Sequence, residues 1–134
     1  MLDFFCFSWY ILTMEKKKII LAIDDNVQQL TEFKYILSQK YDFRAVKAAS
    51  EALNFMNNNQ VDLILLDIEM PNVSGFQFLT DIRTIPSYIS VPIIIVSGNS
   101  GQEFFTQARN SSAADVLTKP VQQDMLIQAI DKNL

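Results

Sequence analysis

From Lys18 onward the hydrophobic positions alternate between two rhythms. Short runs rich in Ile, Val and Leu recur as KIILAI (18–23), FRAVKA (43–48), VDLILLD (61–67), VPIIIVS (91–97) and ADVLTK (114–119), with FRAVKA the weakest. Continuous apolar runs, rather than strict alternation, suit parallel strands covered on both faces. Between them Val27, Leu30, Phe33 and Leu37 repeat at helical spacing, as do Leu53 and Met56. Phe76, Leu79 and Ile82 do the same, followed by Met125, Ala129 and Ile130; such stripes mark helices with one buried face. Ser50 with Glu51 in the next turn, and Ser74 ahead of Phe76, read as helix starts. Five β-then-α units predict an α/β fold, a doubly wound five-stranded parallel sheet with five helices and right-handed crossovers. No repeat, low-complexity tract or linker interrupts the pattern, and Asn57–Asn59 reads as a helix end and turn.

Residues 1–14, MLDFFCFSWYILTM, do not share these rhythms. Phe4, Phe5, Phe7, Trp9 and Tyr10 crowd into them, and the apolar run ends at Met14. That run is well short of the roughly 17–25 residues of a membrane-spanning helix. A secretory signal carries its positive charge before the apolar core, whereas here Asp3 comes first and Lys16, Lys17 and Lys18 follow. Three readings stand: an upstream mis-start with Met14 as the true beginning, a short helix for a membrane surface or partner, and a packed structural extension. The chain therefore divides into an atypical extension, 1–14, and one domain, 15–134. Membrane contact is expected only through the extension.

Composition narrows the chemistry. The 134 residues, 49% hydrophobic and 19% charged, are enough for one folded domain with a real core. A net charge of −4 and an isoelectric point near 4.7 argue against a nucleic-acid surface, because phosphate backbones call for clustered Lys and Arg. Cys6 is the one cysteine, so no intramolecular disulfide or cysteine-rich zinc site is available. The absence of histidine removes Ser-His-Asp and Cys-His nucleophiles, His-ligated zinc and imidazole acid–base catalysis. What remains is carboxylates, hydroxyls, a lysine or a hard cation.

Those groups fall where the predicted strands end. Asp24 and Asp25 follow the first run, Asp67 closes the third, Ser97 closes the fourth, and Lys119 closes the fifth ahead of Pro120. A parallel sheet brings all these ends to one edge, where open α/β sheets hold their ligands. Each element alone is ordinary: an Asp pair is most often a solvated turn or cap, and a Lys-Pro a loop. Together they carry more. Three converging carboxylates repel unless a cation compensates them, and an oxygen-only donor set selects a hard ion, most simply Mg²⁺ with retained waters. A lysine and a hydroxyl beside such a cluster suit a tetrahedral oxyanion.

The segments IILAIDDN (19–26), DLILLDIEMPNVSG (62–75), IIIVSGNS (93–100) and ADVLTKP (114–120) resemble the response-regulator receiver (CheY-like) family over about residues 17–134. The resemblance implies the strand order 2-1-3-4-5. It implies that Asp67 is the phosphoacceptor, and that Asp25, Asp67 and the backbone carbonyl of Glu69 ligate Mg²⁺ while Asp24 acts more through water. Ser97 stands at the position of the family's switch hydroxyl and Lys119 at that of its phosphate-binding lysine. Met70, Pro71 and Gly75 match the loop and helix entry after the phosphoacceptor, and the Lys119–Pro120 bond is expected to be cis. The implied donor is a histidine kinase or histidine phosphotransfer protein in the cytoplasm, and the signal passes to an unknown downstream protein. One position departs: the residue three before the lysine, commonly Tyr or Phe in the family, is Val116. The final segment VQQDMLIQAIDKNL predicts a last helix with no output domain after it. With the aromatic lever missing, movement of the Gly98–Gly101 loop is expected instead, with one of Phe104 and Phe105 packed inward and the other nearer the surface.

Rival readings remain open. An aspartate-nucleophile phosphohydrolase of the haloacid dehalogenase type would place its acid pair on the first strand, whereas Asp67 and Glu69 follow the third. A flavodoxin-like nucleotide binder needs a Gly or Ser/Thr phosphate cradle where Asp24 and Asp25 stand. A degenerate receiver could serve as a scaffold alone. The Glu69 carboxylate, two residues past Asp67, could repel a phosphoryl group or orient a hydrolysing water, and with Asn99 it is expected to flank that water's path.

Overall fold

In the computed structural model, which describes residues 17–71 and 73–134, neighbouring residues of each central strand face opposite layers. Ile20, Ala22, Leu63, Leu65, Ile94 and Val96 face one core, while Leu21, Ile23, Ile64, Leu66, Ile93 and Ile95 face the other. This is the period-two geometry of a strand with both faces dry, and it explains why the sequence runs are unbroken. The readings of residues 1–14 lie outside the described residues.

The elements are β1 (Ile19–Ile23), α1 (Val27–Leu37), β2 (Asp42–Val46), α2 (Ala49–Asn58), β3 (Leu63–Asp67) and α3 (Gly75–Ile82). A 3-10 turn (Pro86–Tyr88) then leads to β4 (Ile93–Ser97), α4 (Gln102–Arg109), β5 (Asp115–Thr118) and α5 (Gln123–Asn133). The five strands are all parallel in the order β2-β1-β3-β4-β5, so the doubly wound sheet and its five helices stand as expected. Leu30, Phe33 and Leu37 of α1 join Leu126, Ala129 and Ile130 of α5 under one face. Helices α2, α3 and α4 cover the other through Ala52, Met56, Phe78, Leu79, Ile82, Phe104 and Ala108. No helix among the described residues is long and apolar enough to cross a membrane.

Several local expectations need correction. Val27 and Met125 are 56% and 55% exposed, although both fall on the apolar helical stripe. Each stands in the first turn of its helix, past the edge at which the strands end, so no sheet lies beneath it. Ser50 is not the cap of α2. That helix starts at Ala49, and Glu51 Oε2 instead accepts the Lys47 N–H at 3.0 Å, an acceptor reaching back over the helix entry. Ser74 does cap α3, its hydroxyl oxygen accepting the Phe76 N–H at 3.2 Å. The second strand begins one residue earlier than FRAVKA, at Asp42, and as an edge strand it buries none of its residues fully.

The turn from β3 into α3 is fixed by close approach. A Cβ on Gly75 would sit 2.6 Å from Ile68 Cα and 2.8 Å from Asp67 O, while the Gly75 N–H donates to Ile68 O at 3.1 Å. Only glycine lets the helix start this near the backbone that carries Asp67. Gly75→Ala is therefore expected to lower stability by about 1–3 kcal/mol. Urea unfolding measures this as a lower midpoint at unchanged slope, and an unchanged midpoint would show that Ile68 yields without cost.

Candidate functional site

Each chemical group at this edge is set by the point at which its strand stops. Ile23 of β1 pairs with Leu66 of β3, so Asp24 and Asp67, the next residues of each, stand side by side. Asp67 pairs with Val96, which puts Ser97 one step further out on β4. Ser97 pairs with Thr118, and the Lys119 N–H donates to Ser97 O at 2.8 Å, which places the lysine one step beyond the serine. The stagger across β1, β3, β4 and β5 thus lays the groups along one edge.

Asp24 (3% exposed), Asp67 (4%) and Ser97 (1%) are the buried polar residues among those described. Apolar strands push water away, so three such groups in one place require strong local partners. Lys119 supplies one: its Nζ lies 3.0 Å from Asp24 Oδ2 and 3.5 Å from Asp67 Oδ1. Backbone supplies others, since the Asn26 N–H donates to Asp24 Oδ1 at 2.9 Å and the Glu69 N–H to Asp67 Oδ1 at 3.2 Å. Asp25 points outward and is exposed, yet one carboxylate oxygen from each of Asp24, Asp25 and Asp67 lies within 4.8 Å of the others. The Lys119–Pro120 peptide is cis, as the resemblance implies.

One ammonium does not balance this cluster. Burial, and then the Asp24 charge, push the Asp67 carboxyl up to about 7, against the pull of Lys119. Burial works to lower Lys119, but its hydrogen bond to Asp24 and the charges of Asp67 and Asp24 outweigh that and raise it. Three carboxylates against one ammonium leave a formal charge of −2. The donors are hard oxygens within reach of one another, which fits a divalent cation such as Mg²⁺ and no soft metal.

Ser97 and Glu69 meet in a way that the sequence does not announce. The buried Ser97 hydroxyl donates to Glu69 Oε1 at 2.5 Å, and its oxygen accepts the Asn99 N–H at 3.0 Å. Asn99 Oδ1 in turn accepts the Gly101 N–H at 2.8 Å. The two partners are 28 positions apart, one in the loop after β3 and the other at the end of β4, so no local pattern signals the contact. Arg83 was likewise silent in the sequence. Its guanidinium donates to the carbonyls of Tyr88, Ile89 and Val91 and to the hydroxyl and carbonyl of Ser112, clamping the loop before β4 to the one before β5. This clamp positions strands and touches no site group. Phe104 packs inward and Phe105 is half-buried against the same core, joined by Phe76 and Val116.

The comparisons agree with this geometry. The family model described as the response regulator receiver domain matches residues 20–131. Over 114 residues the chain is 34% identical to the CAI-1 autoinducer sensor kinase/phosphatase CqsS of Vibrio cholerae, a match covering 83% of this chain and 16% of that protein. It is 32% identical over 133 residues to hybrid signal transduction histidine kinase B of Dictyostelium discoideum, covering 90% and 7%. The chain thus spans a small part of these curated relatives. Among solved structures, a CheY-like receiver domain protein from Methanospirillum hungatei superimposes with a TM-score of 0.79 at 27% identity, covering 87% of this chain and 93% of that one. The chemotaxis protein CheY4 of Vibrio cholerae gives 0.82 at 24% identity, covering 88% and 99%, and supports the fold.

The raised Asp67 carboxyl has a stability consequence in metal-free protein. A folded-state value of about 7 against an unfolded value near 3.8 means that the folded protein holds this proton more tightly. Stability linked to the group is then full below about pH 4 and is lost as pH rises through 7. Asp67→Asn, which keeps the shape and removes the charge, is expected to stabilise the chelated protein on the order of 2–4 kcal/mol at pH 8 and to show little of that gain near pH 4. Denaturant unfolding of both proteins across this range measures it, and a gain independent of pH would refute the assignment.

Proposed function

The chain belongs to the response regulator receiver family, and on that premise we propose that Asp67 accepts a phosphoryl group from a phosphohistidine. It is a receiver domain of two-component signalling, and its fold class generally serves signalling rather than turnover of a substrate. The observation that carries the reading is the convergence of Asp67 with Asp24, Asp25 and Lys119 at one strand edge. The 134 residues hold no histidine, so the donor imidazole lies outside them, on a histidine kinase or histidine phosphotransfer protein.

In the transfer an Asp67 carboxylate oxygen forms a bond to phosphorus while the P–N bond of the donor breaks. The electron pair leaves with the imidazole nitrogen, which takes up a proton. Asp25, Asp67 and the backbone carbonyl of Glu69 would hold Mg²⁺ directly, with Asp24 acting through water. The ion would supply neutralising charge to the transferring oxygens. Lys119, anchored by Asp24, puts an ammonium beside the same oxygens, and the Ser97 hydroxyl, bonded to Glu69 in the unphosphorylated protein, would supply a further donor to the product. The phospho-form then signals through protein–protein contacts with a downstream partner. A cytoplasmic location and a domain spanning 15–134 complete this reading.

Incubation with Mg²⁺ and a small phosphodonor is expected to give an acid-stable, base-labile phosphate on the protein that is absent from Asp67→Asn. Asp25→Ala is expected to lose both Mg²⁺ binding and phosphorylation. Phosphorylation that persists in Asp67→Asn, or in excess chelator, would overturn the proposal, and its absence from wild type would favour a scaffold. Replacing Glu69 by Ala or Lys is expected to change the dephosphorylation rate severalfold, measured by decay of the labelled protein. Equal rates would remove Glu69 from the water's path.

A further inference from the structure

A serine hydroxyl has one hydrogen to donate. In this structure that hydrogen is already engaged, because Ser97 Oγ lies 2.5 Å from Glu69 Oε1 and accepts the Asn99 N–H from the other side. We propose that Glu69 is a positioning residue that holds the Ser97 hydroxyl in the unphosphorylated protein, so that a phosphoryl group on Asp67 must displace this carboxylate before Ser97 can donate to it. The inference rests on the phosphoacceptor reading of Asp67 and deepens it by naming what regulates the neighbouring hydroxyl.

Three observations carry the proposal. Ser97 is almost wholly buried at the end of β4, so water is a poor alternative acceptor and the hydroxyl depends on a protein partner. Glu69 is exposed and makes no ion pair among the described residues, so its carboxylate is free to swing into solvent once displaced. The backbone N–H of Glu69 donates to Asp67 Oδ1 at 3.2 Å, which ties the loop that carries this carboxylate to the residue proposed to take the phosphoryl group. A hydrogen bond to a charged acceptor is roughly twice as strong as a neutral one, which makes Glu69 an effective competitor. The competitor is also self-limiting, since a phosphoryl group brought onto Asp67 adds negative charge beside the Glu69 carboxylate and drives it out. The hydroxyl rotates from carboxylate to phosphoryl oxygen, and no covalent bond other than that of the transfer itself is made or broken. Asn99 and the loop to Gly101 follow the serine, because they are bonded to its oxygen and to each other.

The distinguishing test is a double-mutant cycle read by beryllofluoride binding in the presence of Mg²⁺, followed by backbone amide shifts. Glu69→Ala keeps the Glu69 carbonyl and N–H and removes only the carboxylate. It is expected to tighten beryllofluoride about tenfold or more, the size of one hydrogen bond to a charged acceptor no longer broken on binding. In a Ser97→Ala background the same substitution is expected to have a much smaller effect, and in a Ser97→Thr background, where a hydroxyl is restored, the effect is expected to return. Equal tightening with and without the hydroxyl would mean simple charge repulsion and overturn the proposal, as would no effect of Glu69→Ala. The protein without beryllofluoride gives an independent reading: Glu69→Ala is expected to move the Asn99 amide signal when Ser97 is present and to leave it in place in Ser97→Ala. Absence of that movement would also overturn the proposal. Failure of the phosphoacceptor reading looks different, because wild type would then show no beryllofluoride-induced shift around Asp67 at all, whatever the Asn99 signal does.

Discussion

Two carboxylates held nearly out of water with one ammonium between them are the constraint around which the rest of the molecule is arranged. Asp24 and Asp67 sit side by side because β1 and β3 are neighbours in register, and Lys119 reaches both from the far side of the sheet. Like charges this close and this dry are costly, and one lysine offsets only part of that cost. The elevated Asp67 carboxyl is the residue of the imbalance. A site in this condition gains from further positive charge, and the three clustered carboxylates offer hard oxygens that could hold a divalent cation.

Holding such a cluster requires walls that do not move. The central strands supply them, with every residue of β3 and β4 buried and each face packed against its own helix layer. The same burial that raises Asp67 makes the sheet rigid enough to keep the carboxylates together when they repel. Gly75 extends the constraint into the following helix, since α3 starts in contact with the backbone of Asp67 and Ile68. The position of the carboxylate and the position of that helix are therefore one structural fact.

Much of this was legible in the sequence because it depends on local order. Strand runs identify their ends, a parallel sheet aligns those ends, and Asp24, Asp25, Asp67, Ser97 and Lys119 fall on them. What was not legible depends on pairs far apart in the chain or on where a helix begins relative to the sheet. Glu69 and Ser97 meet only once β4 lies beside β3 and the loop after β3 is folded, and Arg83 finds its five acceptors only after the β4 and β5 approaches are laid down. Val27 and Met125 have the spacing of core residues, but each belongs to a first turn that overhangs the sheet edge. Glu51 shows the same limit at shorter range: its partner is the Lys47 N–H, and only the backbone path into α2 decides that it, and not Ser50, completes the helix entry.

Val116 decides what lies between the site and the outer surface. A valine is short and stiff at χ1, and here it lies half-buried in the core that also contains Phe76, Phe104 and Phe105. Those rings are packed against one another, with Phe104 centred 5.9 Å from Phe76 and 5.4 Å from Phe105. The groups that hydrogen-bond the serine hydroxyl, Glu69 Oε1 and the Asn99 N–H, belong to loops. From Ser97 the contacts run to the Asn99 N–H, from Asn99 Oδ1 to the Gly101 N–H, and from Gly101 O to the Phe105 N–H in the first turn of α4. Gly98 has no neighbour within 4 Å of where a Cβ would stand, so a side chain there would enter open space. The serine thus lies between a tightly packed apolar layer on one side and an exposed, hydrogen-bonded loop on the other. Packed cores resist small displacements while exposed loops absorb them more readily, so the hydrogen bonds that leave Ser97 for the entry of α4 run through the more deformable of its two sides.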